Sequence, residues 1–219
     1  AQSSVSASTA EPEIDAQTNI MGGLNLLKCV ANGSVSQFIY ITTGGALYGE
    51  PDYIPSDENH PIRPSSPYGL SKWTLEQYLK IGKRSGMRLK VLRLANVYGP
   101  RQDPFGEAGV VSIFASRMLK DQSVTIFGDG EQLRDFVFVK DVVDANERAI
   151  AVGNPVTVNV SSGKGTSINE LFGGMALQTG YKRPPIYEPR RPGDLEQSVL
   201  SNQRAKSLLG WIPNTSLEM

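Results

Sequence analysis

The amino-acid sequence predicts an α/β protein with a mainly parallel sheet, and three observations carry that expectation. Apolar, β-branched runs at Phe38–Thr43 and Leu89–Ala95 stop abruptly at Gly44-Gly45 and at Asn96, as buried parallel strands opening into loops do. Around them, apolar residues recur at helical spacing. Strands and helices then alternate along the chain, which is the order produced by crossover connections.

Each element follows from its own pattern. Ile20, Leu24, Leu27 and Ala31 mark a helix over Ile14 to Val30, with Gly33 as its cap. Phe38–Thr43 is the first strand. Residues 50–67 hold Pro51, Pro55, Pro61, Pro64 and Pro67, which exclude a long regular element there. A helix is predicted over Ser66 to Ser85, ended by Gly86, and Leu89–Ala95 is the second strand. Helix Val110–Lys120, strands Val124–Phe127 and Asp135–Val139, and helix Val142–Ala151 follow. Strand Val156–Val160 and helices Ile168–Gly180 and Gln203–Leu209 complete the reading. Gly128-Asp129-Gly130 lacks the third glycine of a phosphate-cradling loop and reads as a β-turn.

Composition narrows the function. The 219 residues are 39% hydrophobic and 20% charged, enough for a substantial core. Lys+Arg 22 balances Asp+Glu 22, so no general field draws the chain to nucleic acid or an acidic membrane, and any phosphate must be met by a few placed arginines. No apolar run approaches the ~20 residues that cross a bilayer. One His and one Cys make no zinc cluster, so no metal is expected. Cys29 reads as a buried structural thiol, which favours a reducing, cytoplasmic setting. The chain opens at Ala1 without methionine, and its first Met is Met21, so a segment is expected to precede it.

In a parallel sheet, chemistry sits beyond the carboxyl ends of the strands. Tyr68 and Lys72 stand four apart on a predicted helix, on one face, where an ammonium favours the phenolate and prepares a general base. Taken alone, such a pair reads as surface decoration; its place after Ser66-Pro67 and the hydroxyls Thr42-Thr43 changes that reading.

Five ordered blocks carry a family resemblance: Thr42-Thr43-Gly44-Gly45-Ala46-Leu47-Tyr48-Gly49, Ser66-Pro67-Tyr68-Gly69-Leu70-Ser71-Lys72, Arg93 to Pro100, Gly128 to Val139, and Arg191-Pro192-Gly193-Asp194. In order, they resemble the extended short-chain dehydrogenases/reductases, and within them the nucleotide-sugar 4-epimerase branch. The resemblance implies a Rossmann-like, doubly wound sheet cut short on its N-terminal side, with a smaller C-terminal substrate lobe. Residues 1–104 and 135–153 would form the remaining NAD-binding part, and 105–134 and 154–219 the nucleotide-sugar lobe.

It also implies roles. Tyr68 would be the base at the sugar 4-hydroxyl, and Lys72 would hold the nicotinamide ribose and keep the tyrosine acidic. The third catalytic hydroxyl falls on Thr43 if the strand sets the alignment, or on Gly44, which has none, if Tyr48-Gly49 does. Gln2, Asn19 and Thr42 would lie near NAD. Asn96, Arg134, Arg191, Asp194 and Thr43 would bind the UDP-sugar, the arginines because a guanidinium engages two phosphate oxygens together. Related dTDP-glucose dehydratases carry an Asp-Glu pair where Gly44-Gly45 stand, so simple oxidation and re-reduction at C4 is expected rather than loss of water. Other nucleotide-sugar modifiers of the family, acting on UDP-glucuronate, and a non-catalytic nucleotide-binding relative remain alternatives. The resemblance further implies a homodimer through helices Ile14–Val30 and Ser66–Ser85. The glycine-rich turn for the pyrophosphate would lie before Ala1, leaving Phe38–Thr43 as an apolar sheet edge and these residues alone inactive.

Overall fold

The computed structural model describes residues 1–31, 35–83, 85–105 and 109–217. Gly33, expected to cap the first long helix, lies outside them. Helix α1 spans Val5–Ala10 and was not legible in the periodicity. Helix α2 (Pro12–Ala16) runs through a π-turn at Gln17–Met21 into α3 (Gly22–Ala31), so the predicted 14–30 helix exists with one widened turn inside it. Strand β1 (Gln37–Thr43) leads to the short α4 (Gly45–Tyr48), then to α5 (Pro67–Gly82), with no helix or ladder strand between them. Strands β2 (Arg88–Leu94) and β3 (Asn96–Tyr98), helix α6 (Val110–Leu119) and strands β4 (Thr125–Phe127), β5 (Leu133–Arg134) and β6 (Phe136–Phe138) come next. Helix α7 (Val139–Ala151), β7 (Val156–Val160), β8 (Thr166–Ser167), α8 (Ile168–Thr179), β9 (Ile186–Glu188), β10 (Gln197–Ser198) and α9 (Gln203–Leu209) close the order.

The main sheet runs β1-β2-β7, all parallel, with β1 at one end among the described strands. Ile41 is the one exposed residue of β1, at 38%; the others are half-buried or buried. One face packs Tyr40, Leu89 and Val91 against Leu27 of α3 and Leu75 and Leu79 of α5. The other packs Leu92, Val158 and Val160 against α7, α9 and the fully buried Trp211. Helices on both faces make the sheet doubly wound. A separate core joins Phe114 and Met118 of α6, Ile126 of β4, and Leu171 and Met175 of α8.

Several expectations are corrected. Strand β7 is hydrogen-bonded to β2, and Ala205 and Leu209 of α9 pack on it. Residues 156–160 thus extend the main sheet, and Ala205, Leu209 and Trp211 join its core. The 135–139 strand is shortened to 136–138: Asp135 lies between β5 and β6, its carboxylate accepting from Ser162 N, Ser162 Oγ and Gly163 N, and Val139 already starts α7. Asn96 does not end a strand but opens β3, which pairs with β6. Cys29 is exposed, because the buried face of α3 is centred on Leu27, two positions away.

The buried face of α5 is half polar, so its seat is set by specific bonds. Glu76, fully buried, takes Arg93 of β2 through two contacts of 2.8 and 3.2 Å. Arg93 also donates to the Tyr48 hydroxyl at 3.0 Å, and Tyr48 passes a bond to Asn159 of β7 at 2.9 Å. Removing one partner of such a pair strands the other charge in the interior. We expect Glu76→Ala to lower stability by about 3–5 kcal/mol in urea unfolding. A change under about 0.5 kcal/mol, the range of an ordinary surface substitution, would show that the pair does not hold the helix.

Candidate active site

The start of α5 is built to deliver Tyr68. Ser66 caps the helix, accepting from Gly69 N at 3.2 Å, and Pro67 occupies its first turn. The Tyr68 backbone N–H donates to the buried Ser8 hydroxyl of α1 at 3.1 Å. A side chain at position 69 would meet Ala46 O at 2.2 Å, so glycine lets α5 approach α4 closely. Four residues on, Lys72 Nζ donates to Ile41 O of β1 at 3.1 Å and lies 4.9 Å from the Tyr40 ring centroid.

Tyr68, Lys72, Thr42 and Thr43 share one cavity of about 790 Å³ with Asn96, Arg134, Arg191 and Asp194. The first four come from the main sheet and α5; the last three come from β5 and the 191–194 turn. Arg134 donates to its neighbour's carbonyl, Leu133 O, at 2.8 Å and pairs with Asp194 at 3.3 Å. The Arg191 guanidinium lies 3.9 Å from the Phe127 ring centroid. Among the described lining residues Asp194 is the one carboxylate, against three cations.

Of the two candidates, Thr43 carries the hydroxyl that acts on the Tyr68 phenol, drawing it down against the effect of burial. Gly44 faces elsewhere: a Cβ there would sit 2.2 Å from Leu200 Cδ1, and one at Gly45 would sit 2.2 Å from Ser198 Oγ. The two glycines thus serve close packing against the C-terminal segment. Gln2 and Asn19 do not reach the cavity wall. Asn19 is buried and spent on Gln2 O, Asp15 Oδ1 and Ser71 Oγ, while its Oδ1 accepts from Gln2 N at 3.0 Å. That pair fastens the first residues to α5.

The electrostatics differ from the expectation of an acidified tyrosine. Burial pushes the Tyr68 phenol up to about 12, Asp15 adds to the rise, and Thr43 opposes it. Burial also draws the Lys72 ammonium below the usual lysine range, with Asp15 opposing. Asp15 is 1% exposed and has one oxygen without a partner. Sequence reasoning missed it, although its i, i+4 relation to Asn19 was visible. Gln102 and Gln132 also line the cavity and were not singled out.

The donor set suits the nicotinamide-ribose end of a dinucleotide. Lys72 has three N–H groups and spends one on Ile41 O, and Tyr68, Thr42 and Thr43 add hydroxyls on the same wall.

The chain as a whole is similar to known proteins. The model of the "NAD dependent epimerase/dehydratase family" matches residues 1–161. A putative UDP-glucose 4-epimerase of Methanocaldococcus jannaschii is 46% identical over 219 residues, covering 100% of this chain and 71% of its own length. The UDP-glucose 4-epimerase of Mycolicibacterium smegmatis is 41% identical, covering 99% of this chain and 70% of its own. Among solved structures, UDP-glucose 4-epimerase of Thermotoga maritima with UDP-glucose superposes with a TM-score of 0.97 at 49% identity, covering 100% of this chain and 71% of that one. The Thermus thermophilus enzyme in complex with NAD gives 0.92 at 41% identity, covering 100% and 72%.

The raised phenol makes a prediction with a definite sign. Its ordinary value is 10.0 and its folded value about 12, so the neutral phenol favours the folded state. That contribution is complete below pH ~10 and is lost as pH climbs towards 12. In nucleotide-free protein, wild type minus Tyr68→Phe should show no tyrosinate absorbance from this residue below pH ~10. One full equivalent by pH 9 would contradict the burial argument.

Proposed function

Because the chain belongs to the NAD dependent epimerase/dehydratase family, we propose that it inverts C4 of a UDP-hexose, interconverting UDP-glucose and UDP-galactose. The observation that carries this reading is the single cavity shared by Tyr68, Lys72 and Thr43 with Asn96, Arg134, Arg191 and Asp194. A base and its hydroxyl partner stand on the sheet side, and diphosphate-binding groups stand on the lobe side.

Bound NAD supplies reversible oxidation at C4, and the chain's own residues handle protons and position. Tyr68 removes the proton of the 4-hydroxyl and later returns it, with Thr43 bridging phenol and sugar oxygen. Lys72 is fixed by Ile41 O and holds the nicotinamide ribose beside Tyr68. Asn96 bonds the sugar-nucleotide. Arg134 and Arg191 take the diphosphate, where guanidinium forks match phosphate oxygens. Asp194 meets the ribose hydroxyls. Gln2 and Asn19 act at one remove, by fastening the segment before α1. Gly44-Gly45 bring no acid or base for dehydration, which supports epimerisation.

Residues 1–104 and 135–153, with β7 and α9, form the cofactor side of this scheme, and residues 105–134 with β8 to β10 and α8 form the nucleotide-sugar side. The working unit is a homodimer. Ile14 and Met21 on the α2–α3 helix and Leu70 and Ile81 on α5 are 56%, 45%, 55% and 85% exposed on adjacent helices, an apolar face that a second copy would cover. No helix among the described residues is long and apolar enough to cross a membrane. A cytoplasmic setting suits a chain whose single thiol, Cys29, is free.

Two measurements test the scheme. In protein that carries the glycine-rich cofactor-binding segment expected ahead of Ala1, Tyr68→Phe should lose on the order of 10²- to 10⁴-fold in turnover of UDP-galactose with NAD, with UDP affinity unchanged. Retained turnover would remove Tyr68 as the base. Leu70→Asp with Ile81→Asp should convert a dimer to a monomer in light scattering; an unaltered dimer mass places the interface elsewhere.

A further inference from the structure

Glu50 follows α4 directly, on the loop that begins at Thr43, and its exposed carboxylate reaches the chain on the opposite side of the cavity. Oε2 accepts from Glu196 N at 2.8 Å and Oε1 from Gln197 N at 3.2 Å. An ionised carboxylate has an acceptor for each of these N–H groups, whereas an amide in its place would turn donors of its own towards one of them.

Both ends of this contact are braced. On the near side a single helical turn separates Thr43 from Glu50: Ala46 N donates to Thr43 Oγ1 at 3.4 Å, and Gly49 N donates to Gly45 O at 3.2 Å. Tyr48 anchors that turn through Arg93 and Asn159. Gly49, at φ +69°, then bends the chain where a Cβ would meet Arg63 O at 2.1 Å. On the far side Arg190 is ion-paired with Glu196 and donates to Asp194 O at 3.0 Å, while Asp194 N closes the turn on Arg191 O at 3.2 Å. Glu196 O accepts from Leu133 N at 2.8 Å, next to Arg134. Residues 190–197 and β5 thus form one braced piece, and it carries Arg134, Arg191 and Asp194.

The bonds inside that piece hold the groups that meet the diphosphate and its ribose. The Glu50 bonds do something else: they join the piece to the loop bearing Thr43. A UDP-hexose has to span the separation between the two, with its diphosphate at one end and its C4 at the other. A misplacement of about 1 Å at the reacting atoms can cost on the order of 10²-fold in rate.

Resting on the UDP-hexose reading above, we propose that Glu50 is a positioning residue: by gripping Glu196 N and Gln197 N it sets the span between the 191–194 turn and the Thr43–Tyr68 pair, and so delivers the sugar ring to that pair. It acts through the backbone it holds, not by touching the sugar.

Glu50→Ala and Glu50→Gln test this, the second keeping the length of the side chain. In amide hydrogen exchange on the full chain, Glu196 and Gln197 should exchange at least about tenfold faster in both variants, with Leu200 unaltered. Calorimetric titration should give a UDP affinity within about twofold of wild type, because the diphosphate groups stay together. In protein that also carries the cofactor-binding segment expected ahead of Ala1, kcat for UDP-galactose should fall at least about tenfold in Glu50→Ala while KM stays within about twofold. Unchanged exchange at Glu196 and Gln197 overturns the proposal, as does faster exchange with kcat within about twofold of wild type. A higher KM with kcat retained overturns it as well, and makes Glu50 a binding residue. Tighter UDP binding by Glu50→Gln with kcat retained would make it instead a charge that competes for Arg134, where its field is felt. Absence of any UDP binding by wild type would bring down the UDP-hexose reading, and this proposal with it.

Discussion

The register of α5 against the sheet is the constraint on which the site depends. Its inward face carries Gly69, Ser71, Lys72, Leu75, Glu76 and Leu79, so hydrophobic burial alone would let the helix slide or rotate. Directional bonds prevent that. Ser8 takes Tyr68 N, the Ser71 hydroxyl meets Asn19, the Tyr40 hydroxyl donates to Lys72 O at 3.1 Å, and Arg93 holds Glu76. Each bond is satisfied at one helical position only, and each would leave a buried polar group unpaired if the helix shifted. Tyr68 is thereby held against Thr43 by contacts that lie outside the reacting groups.

A second constraint joins the two sides of the cavity. Asp135 follows Arg134 and buries its carboxylate against Ser162, Gly163 and, at 3.3 Å, Leu200 N. Its backbone carbonyl accepts from Asn96 N at 2.9 Å, and its N–H donates to Ser198 O at 3.0 Å. One residue thus ties the start of β3, the loop after β7 and the C-terminal segment together. Arg134 and Asn96, which face the cavity, are the immediate chain neighbours of these bonds. Burial pushes the Asp135 carboxyl above the usual carboxylate range, and its hydrogen bonds oppose the shift.

The sequence made legible what depends on local pattern. Strands at 37–43 and 88–94, the α5 cap at Ser66-Pro67, and the i, i+4 spacing of Tyr68 and Lys72 are properties of neighbouring residues. What stayed hidden depends on distant packing. Gly44 and Gly45 are small because Leu200 and Ser198, some 150 residues on, leave no room. Cys29 looked buried because its neighbours are apolar, yet which face of α3 turns inward is decided by α5 and β1. Asp135 stands outside β6, and its carboxylate meets donors at Ser162, Gly163 and Leu200 that lie far along the chain. The phenol's direction of shift was misjudged for the same reason, since spacing shows the ammonium four residues away but not the burial around Tyr68, nor Asp15 behind it.

Charge on the cavity wall ranks the donors open to an anion. Arg134 is half committed, to Asp194 and to Leu133 O, and burial lowers its hold on the proton without neutralising it. Arg191 has an aromatic ring beneath it and no carboxylate bonded to it, so its forked donors are available at once. An anion that meets Arg191 gains a charge-assisted bond, whereas at Arg134 it has to compete with Asp194. The ion pair thus keeps both side chains on the cavity wall and grades the two guanidiniums: one open to an anion, the other already held by a carboxylate.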